Sequence, residues 1–214
     1  EEGDLIDETQ VKTKEHLIKL SKRGRMLVAS YEALRYQKLD LFSVMLRQIG
    51  AYIQKQQLAD AVNVLISGDG NDNAAVQYTV GTSPISGTKG TLGYDQLVEF
   101  WSKFDPYTMN TILCSTGTMT NLLKIPELQN PMAGLNFQGT GKVGTPLGAQ
   151  IHRTGAVADG VIIGLDKRYA LEHVRAGHVL VEYDKLIDRQ LERAAVTCTA
   201  GFSKIFTEAA KTLS

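Results

Sequence analysis

Four histidines, His16, His152, His173 and His178, have the ordinary pKa that suits proton transfer near neutrality. His173 and His178 flank Arg175-Ala176-Gly177, where a hairpin turn would bring them toward each other. Catalysis would also need a nucleophile in a suitable setting, and no GxSxG motif accompanies them. They read as surface or strand-lining histidines. Cys114 and Cys198 stand in apolar, strand-like contexts, with no CxxC motif and no histidine at ligand spacing. They read as buried free thiols, the usual state in a reducing compartment.

Two glycine-rich stretches invite an ion or a phosphate. Gly68-Asp69-Gly70 is followed by Asn71, Asp72 and Asn73, a set of oxygens that calcium would accept. The EF-hand pattern fails, because the glycine comes too early and no glutamate closes the loop. A tight turn ending a helix is the reading kept. At 139–145, GTGKVGT carries a Gly141-Lys142 pair, but Val143 follows where a phosphate loop needs Ser or Thr, and no strand-to-helix frame surrounds it. Glu182, Asp184, Asp188 and Glu192 alternate with Lys185, Arg189 and Arg193. That is a solvated charged face or a subunit contact before it is an acid–base pair. The expectation is no catalytic residue, no cofactor, no metal and no small-molecule substrate.

The elements that position these residues begin with a long helix. From Leu41 to Ile66 there is no proline and one glycine, Gly50; Asp40 supplies an N-cap and Ser67-Gly68-Asp69-Gly70 a stop. Such a helix is roughly 40 Å long, at about 1.5 Å per residue, enough to act as a strut. Leu41, Met45, Ile49 and Tyr52 form a stripe in its first half, widened by Phe42, Leu46 and Ile53. In the second half the stripe moves to Leu58, Ala61, Val62 and Leu65, so the two ends should bury different partners.

Before the strut, 16–29 (HLIKLSKRGRMLVA) alternates like a strand with a basic tip, where Lys19, Lys22, Arg23 and Arg25 crowd Gly24. An arm this exposed needs a pairing partner. Ser30 to Arg35 reads as a short helical turn. After the strut, 71–90 reads as a surface loop or short hairpin. Thr91 to Phe104 is an amphipathic helix with Leu97, Phe100, Trp101 and Phe104 on one face. Asn110 to Ser115 is a buried strand, and Thr116 or Thr118 caps a helix through Leu123. A Gly/Pro-rich loop at 130–148 precedes strands at 149–154 and 160–165. The stretch 169–183 looks like a hairpin, and the last segment is mostly strand. Helices and strands do not alternate regularly, so the fold class is α+β.

Composition narrows the class of partner. Of 214 residues, 23 are basic and 23 acidic, so no global basic field points to sequence-specific DNA binding. No apolar run is long enough for a membrane span. The first residue, Glu1, implies a processed or trimmed chain with an upstream segment.

In order and spacing, the pieces IKLSKRGRMLVASYEALR, VNVLISGDG, YDQLVEFWSKFDPY, PLGAQIHRT, LDKRYALEHVRAG and LVEYDKLIDRQLERAAVTCTAGFSKIF resemble tailed-bacteriophage major capsid proteins of the Hong Kong phage type. The resemblance covers essentially the whole chain. It implies an N-terminal remnant and extended loop at 1–38, with Lys19, Lys22, Arg23 and Arg25 in contact with another subunit. It implies a peripheral domain with a spine helix at 39–89, ending in the Gly68, Asp69, Gly70 turn. An axial domain at 90–180 and a C-terminal return to the peripheral domain at 181–214 complete the plan. The implied function is a virion coat protein, assembled in the bacterial host cytoplasm into hexamers and pentamers around double-stranded DNA. The DNA contact would be non-specific, and scaffolding or portal proteins are possible partners. Lys12, Lys14, Lys19 and Lys22 lie where some relatives form crosslinks, but no acceptor is identifiable and no crosslink is expected. The alternatives are an encapsulin-like compartment shell and, against the failed motif searches, an α+β enzyme.

Overall fold

The structure, a computed structural model, describes residues 17–36, 41–129 and 146–214. Asp40, Lys12, Lys14, His16 and the 139–145 stretch lie outside those residues.

Two sheets meet along one long helix. The first sheet is centred on β8 (Leu191–Lys204), whose inward positions Ala194, Val196, Cys198 and Ala200 are buried at the two-residue period of a strand. On one side β8 pairs antiparallel with β1 (Ser21–Ser30), from Ser21↔Ala200 to Ser30↔Leu191. The basic ribbon thus finds its partner inside its own chain. α1 (Tyr31–Tyr36) follows, with Ser30 Oγ accepting from Ala33 N.

Two further strands, β6 (Leu171–Arg175) and β7 (Leu180–Leu186), pair antiparallel with β8 at successive stretches of its length. The 169–183 segment is therefore not the expected hairpin. Both strands run the same way, and the step from Arg175↔Ala200 to Leu180↔Thr197 inserts extra residues on one side only. The Ala176-Gly177 signal marks a bulge in an interrupted strand. The hairpin lies one element later, between β7 and β8, around Ile187–Arg189 with Gln190 in the left-handed region. His173 accordingly stacks on Phe202 of β8, ring centroids 4.8 Å apart, rather than facing His178 across a turn.

The second sheet has the order β2-β9-β5-β3-β4. It comprises β2 (Val76–Tyr78), β3 (Thr111–Cys114), β4 (Gln150–Arg153), β5 (Ile162–Leu165) and β9 (Ala210–Leu213). The β2–β9 and β3–β4 pairs are parallel, and the others antiparallel. The 71–90 stretch, expected as loop or hairpin, supplies a strand, and Ile85 beyond it is fully buried. Against this sheet lie α3 (Tyr94–Ser102), α4 (Thr116–Leu123) and the single turn α5 (Pro126–Gln129). Leu97, Phe100 and Phe104 enter its core as expected, whereas Trp101 turns outward. Ser115, not a threonine, caps α4, accepting from Thr118 N at 3.1 Å. Gly164 is where two aromatic side chains and Met109 close on the backbone: a Cβ there would lie 2.8 Å from Phe100, Phe104 and Met109.

The helix α2 (Leu41–Ser67) runs unbroken past both sheets. In its first half Ile53 packs on Val196 and Cys198, with Leu46 and Ile49 half-buried beside it. In its second half Val62 and Leu65 join Ile163, Leu165, Ala209 and Ala210. The two halves do bury different partners. The stripe is narrower than its sequence pattern, however, since Met45, Tyr52 and Leu58 are exposed.

Sheet membership is interleaved in sequence. The 90–180 segment contributes β6 to the first sheet, and the 181–214 segment contributes β9 to the second. The crossovers are sewn together by Asp166 N to Ala209 O (2.9 Å), Ile205 N to Ala170 O (3.3 Å) and Phe206 N to Tyr169 O (3.2 Å). Tyr107, Tyr169 and Phe206 form a ring triangle over the joint, with centroids 5.9–6.2 Å apart. Beneath it the buried Asp166 carboxylate accepts from Thr108 N, Asn110 Nδ2 and the Arg168 guanidinium. Arg168 above all, then these backbone and amide donors, hold its carboxyl far below the usual range against the opposing effect of burial.

Candidate functional site

The seven residues singled out from sequence fall into two neighbouring groups. Lys19, Gly68 and Asp69 line one open depression, with Asp60, Asn63 and Gly201 between them. Lys19, just ahead of β1, is the cation at that place, and the end of α2 brings the turn.

The cations differ in their freedom. Arg23 forms a two-pronged ion pair with Asp60 of α2, Nη2 to Oδ1 at 2.7 Å and to Oδ2 at 2.8 Å. The pair is partly solvated, so it contributes about 1 kcal/mol at most. Arg25 lies over the Tyr52 ring, its guanidinium carbon 3.6 Å from the centroid. Both therefore tie the ribbon to α2 of their own chain. Lys19 and Lys22 are exposed. Gly24, between Arg23 and Arg25, is required by the close approach of two strands, since a Cβ would lie 2.8 Å from the Val196 carbonyl oxygen. Sequence reasoning missed Asp60 and Tyr52. Asp60 is the sole acid of α2, a signal available in the sequence.

The Gly68–Gly70 turn is a clamp. Gly68 and Gly70 have φ of +84° and +98°, the left-handed region that ends helices. Asp69 N donates to Asn73 Oδ1 at 3.0 Å. The Asp69 carboxylate accepts from Asn71 Nδ2 (2.7 Å), Ser203 Oγ (3.1 Å) and Lys204 N (3.0 Å). It thereby fixes the end of β8 to the end of α2. Lys204 is fully buried, and its ammonium donates to Leu65 O at 3.2 Å. Burial pushes its pKa down to about 8, opposed by the Asp69 charge.

The two cysteines are engaged in structure. Cys114 and Cys198 are buried free thiols; Cys198 Sγ accepts from Gln57 Nε2 at 3.3 Å, and burial raises Cys114 to about 11. Among the described residues no three His, Cys, Asp or Glu side chains gather as metal ligands. No described helix is long and apolar enough to cross a membrane.

The chain's relatives place this surface in a family. The family model for phage capsid protein matches residues 13–183. The chain belongs to the phage capsid protein family. No curated protein matches the sequence. Among solved structures, this capsid-family chain is similar to a chain of Mycobacterium phage Che8, with TM-score 0.66 at 15% identity, covering 90% of this chain and 70% of that one. It is similar to the capsid of Cyanophage P-SCSP1u, with TM-score 0.64 at 14% identity over 100% of this chain and 78% of that one. The SrpI encapsulin of Synechococcus elongatus shares the fold too, with TM-score 0.63 at 12% identity over 91% and 73%. At these identities the structural likeness establishes the fold, and the family match carries the assignment as a structural capsid protein. The fold is the α+β capsid fold expected from sequence.

Proposed function

We propose that the chain is a major capsid protein whose copies assemble into the closed shell of a phage virion. The observation that carries this reading is the family match across residues 13–183. That family favours a virion coat over the encapsulin-like compartment, which shares the fold alone. Hexamers and pentamers around double-stranded DNA, formed in the host cytoplasm, complete the proposal. Scaffolding or portal proteins would act in assembly, and contact with DNA would be non-specific and salt-dependent.

In this reading α2 with β6, β7 and β8 of the first sheet forms the peripheral domain, α2 being the spine, while β1 belongs to the extended loop. The second sheet with α3 and α4 forms the axial domain, and residues 1–38 carry the extended loop. Lys19 and Lys22 are the inter-subunit cations, because Arg23 and Arg25 already have partners within the chain. The test is sedimentation of the purified protein at moderate ionic strength. Wild type should sediment as particles far larger than a monomer. Lys19→Gln with Lys22→Gln should keep the melting temperature and lose most of the particle fraction. A variant that assembles with normal yield and salt tolerance refutes the assignment of these two lysines.

A further inference from the structure

Two aspartates stand directly before a glycine, at Asp69-Gly70 and at Asp159-Gly160. Such a step carries a chemistry of its own. The glycine amide nitrogen, unobstructed by a side chain, attacks the aspartate Cγ, water leaves, and a cyclic succinimide closes. Water then opens the ring at either carbonyl, giving back aspartate or giving isoaspartate, in which the main chain runs through Cβ. One water is lost and one is regained, so no oxidant, reductant or other reactant enters. The attack needs a nitrogen free to approach and a carboxyl carbon free to receive it.

The fold treats the two steps differently. At Asp159-Gly160 both reacting groups are held. The Asp159 carboxylate accepts from Ser115 Oγ, the N-cap of α4. Gly160 N donates to Thr118 Oγ1 at 2.9 Å, and Thr118 is itself buried. At Asp69-Gly70 only the carboxylate is held, by Asn71, Ser203 and Lys204. Gly70 is exposed, and among the described residues nothing accepts from its amide. We propose that Asp69-Gly70 is a site of spontaneous succinimide formation and isoaspartate conversion in the native chain, gated by release of the Asp69 carboxylate from β8. Asp159-Gly160 stays locked until the chain unfolds. Local openings of this kind cost less than global unfolding, so the gate moves while the cores hold. Conversion adds a methylene to the main chain where the end of α2 is fastened to β8, and Ser203 Oγ and Lys204 N lose their acceptor. Each isoaspartate is therefore a permanent record of one opening of that joint. Shell formation plays no part in this chemistry.

The test incubates the whole chain in heavy-oxygen water, native and urea-unfolded, in one mildly acidic buffer. Every ring opening leaves one heavy oxygen on the converted residue, whichever product forms, and peptide mapping by mass spectrometry locates and counts the events. The unfolded chain should label at both steps. Gly70→Ala, unfolded, should slow labelling at Asp69 at least tenfold and leave Asp159 unchanged. The native chain should label at Asp69 at least tenfold more slowly than the unfolded chain, and at Asp159 at least tenfold more slowly again. Ser203→Ala, which removes one donor from the Asp69 carboxylate, should speed native labelling at Asp69 alone. Thr118→Val, which frees Gly160 N, should raise it at Asp159 alone. Circular-dichroism melts establish that both variants are folded at the incubation temperature; where one is not, the order of the two sites in native wild type decides. Native labelling that is absent at Asp69, equal at the two sites, faster at Asp159, or as fast as in urea overturns the proposal. Folded Ser203→Ala labelling at the wild-type rate overturns the gate.

Discussion

Replacing Ile53 by Val and Leu65 by Ala separates the two ends of α2. Ile53 is buried in a small cluster with Val196 and Cys198 of the first sheet. Removing one methyl there should cost about 1 kcal/mol, within the usual range for Ile→Val. Leu65 sits in the larger cluster with Val62, Ile163 and Leu165 at the second sheet, where little can collapse into the space. Its truncation should cost about 3 kcal/mol. The sites are about 18 Å apart along the helix axis and share no buried neighbour. Independent sites add to within about 0.5 kcal/mol, so the double variant should lose about 4 kcal/mol. A domain with ordinary stability of about 5–15 kcal/mol survives that loss. The assay is urea unfolding of the unassembled chain and its three variants, followed by far-ultraviolet circular dichroism and Trp101 fluorescence. Coupling above about 1 kcal/mol, well outside that additive margin, would refute the claim that one helix serves two separate cores.

Gly164→Ala should destabilise by about 1–3 kcal/mol, measured as a lowered melting temperature, because its Cβ would meet Phe100, Phe104 and Met109 at 2.8 Å. Asp166→Asn should cost about 2–3 kcal/mol near neutral pH through weakened bonds to Arg168 and Thr108. The Asp166 carboxyl titrates well below the unfolded value of about 4, so its contribution is complete above that pH and fades as pH falls. Wild type and Asp166→Asn should therefore converge in urea stability on acidification, and a constant gap contradicts the carboxylate clamp. Lys204 carries the opposite sign. Its folded pKa of about 8 lies below its unfolded one, so the unfolded chain holds the extra proton in between and stability rises with pH. Relative to Lys204→Met, wild type should gain by up to roughly 3 kcal/mol as pH rises from about 8 to about 10, and a flat difference contradicts the burial of that amine.

Local signals were legible wherever one element decides its own geometry. The α2 boundaries follow from the absence of proline and the Gly68–Gly70 stop, and the α3 core face from Leu97 and Phe100 at helical spacing. Pairing was not legible. The Ala176-Gly177 signal is equally good chemistry for a turn and for a bulge, and only β8, lying far along the chain, decides between them. Strand β2 is three residues long and owes its existence to β9 at the opposite end of the sequence. Exposure failed in the same way: Met45, Tyr52 and Leu58 match the helical period of a core face, yet the sheets cover less of α2 than that period allows. At the candidate site the basic cluster around Gly24 was visible. That Arg23 is spent on Asp60 and Arg25 on Tyr52 depends on the register of β1 against α2, which no local pattern encodes.

Cryo-electron microscopy of the purified full-length protein tests the central claim most directly. The account predicts closed shells whose reconstruction places α2 and both sheets in every subunit, with Lys19 and Lys22 against a neighbouring copy. Monomers alone, across protein concentration and ionic strength, would contradict it.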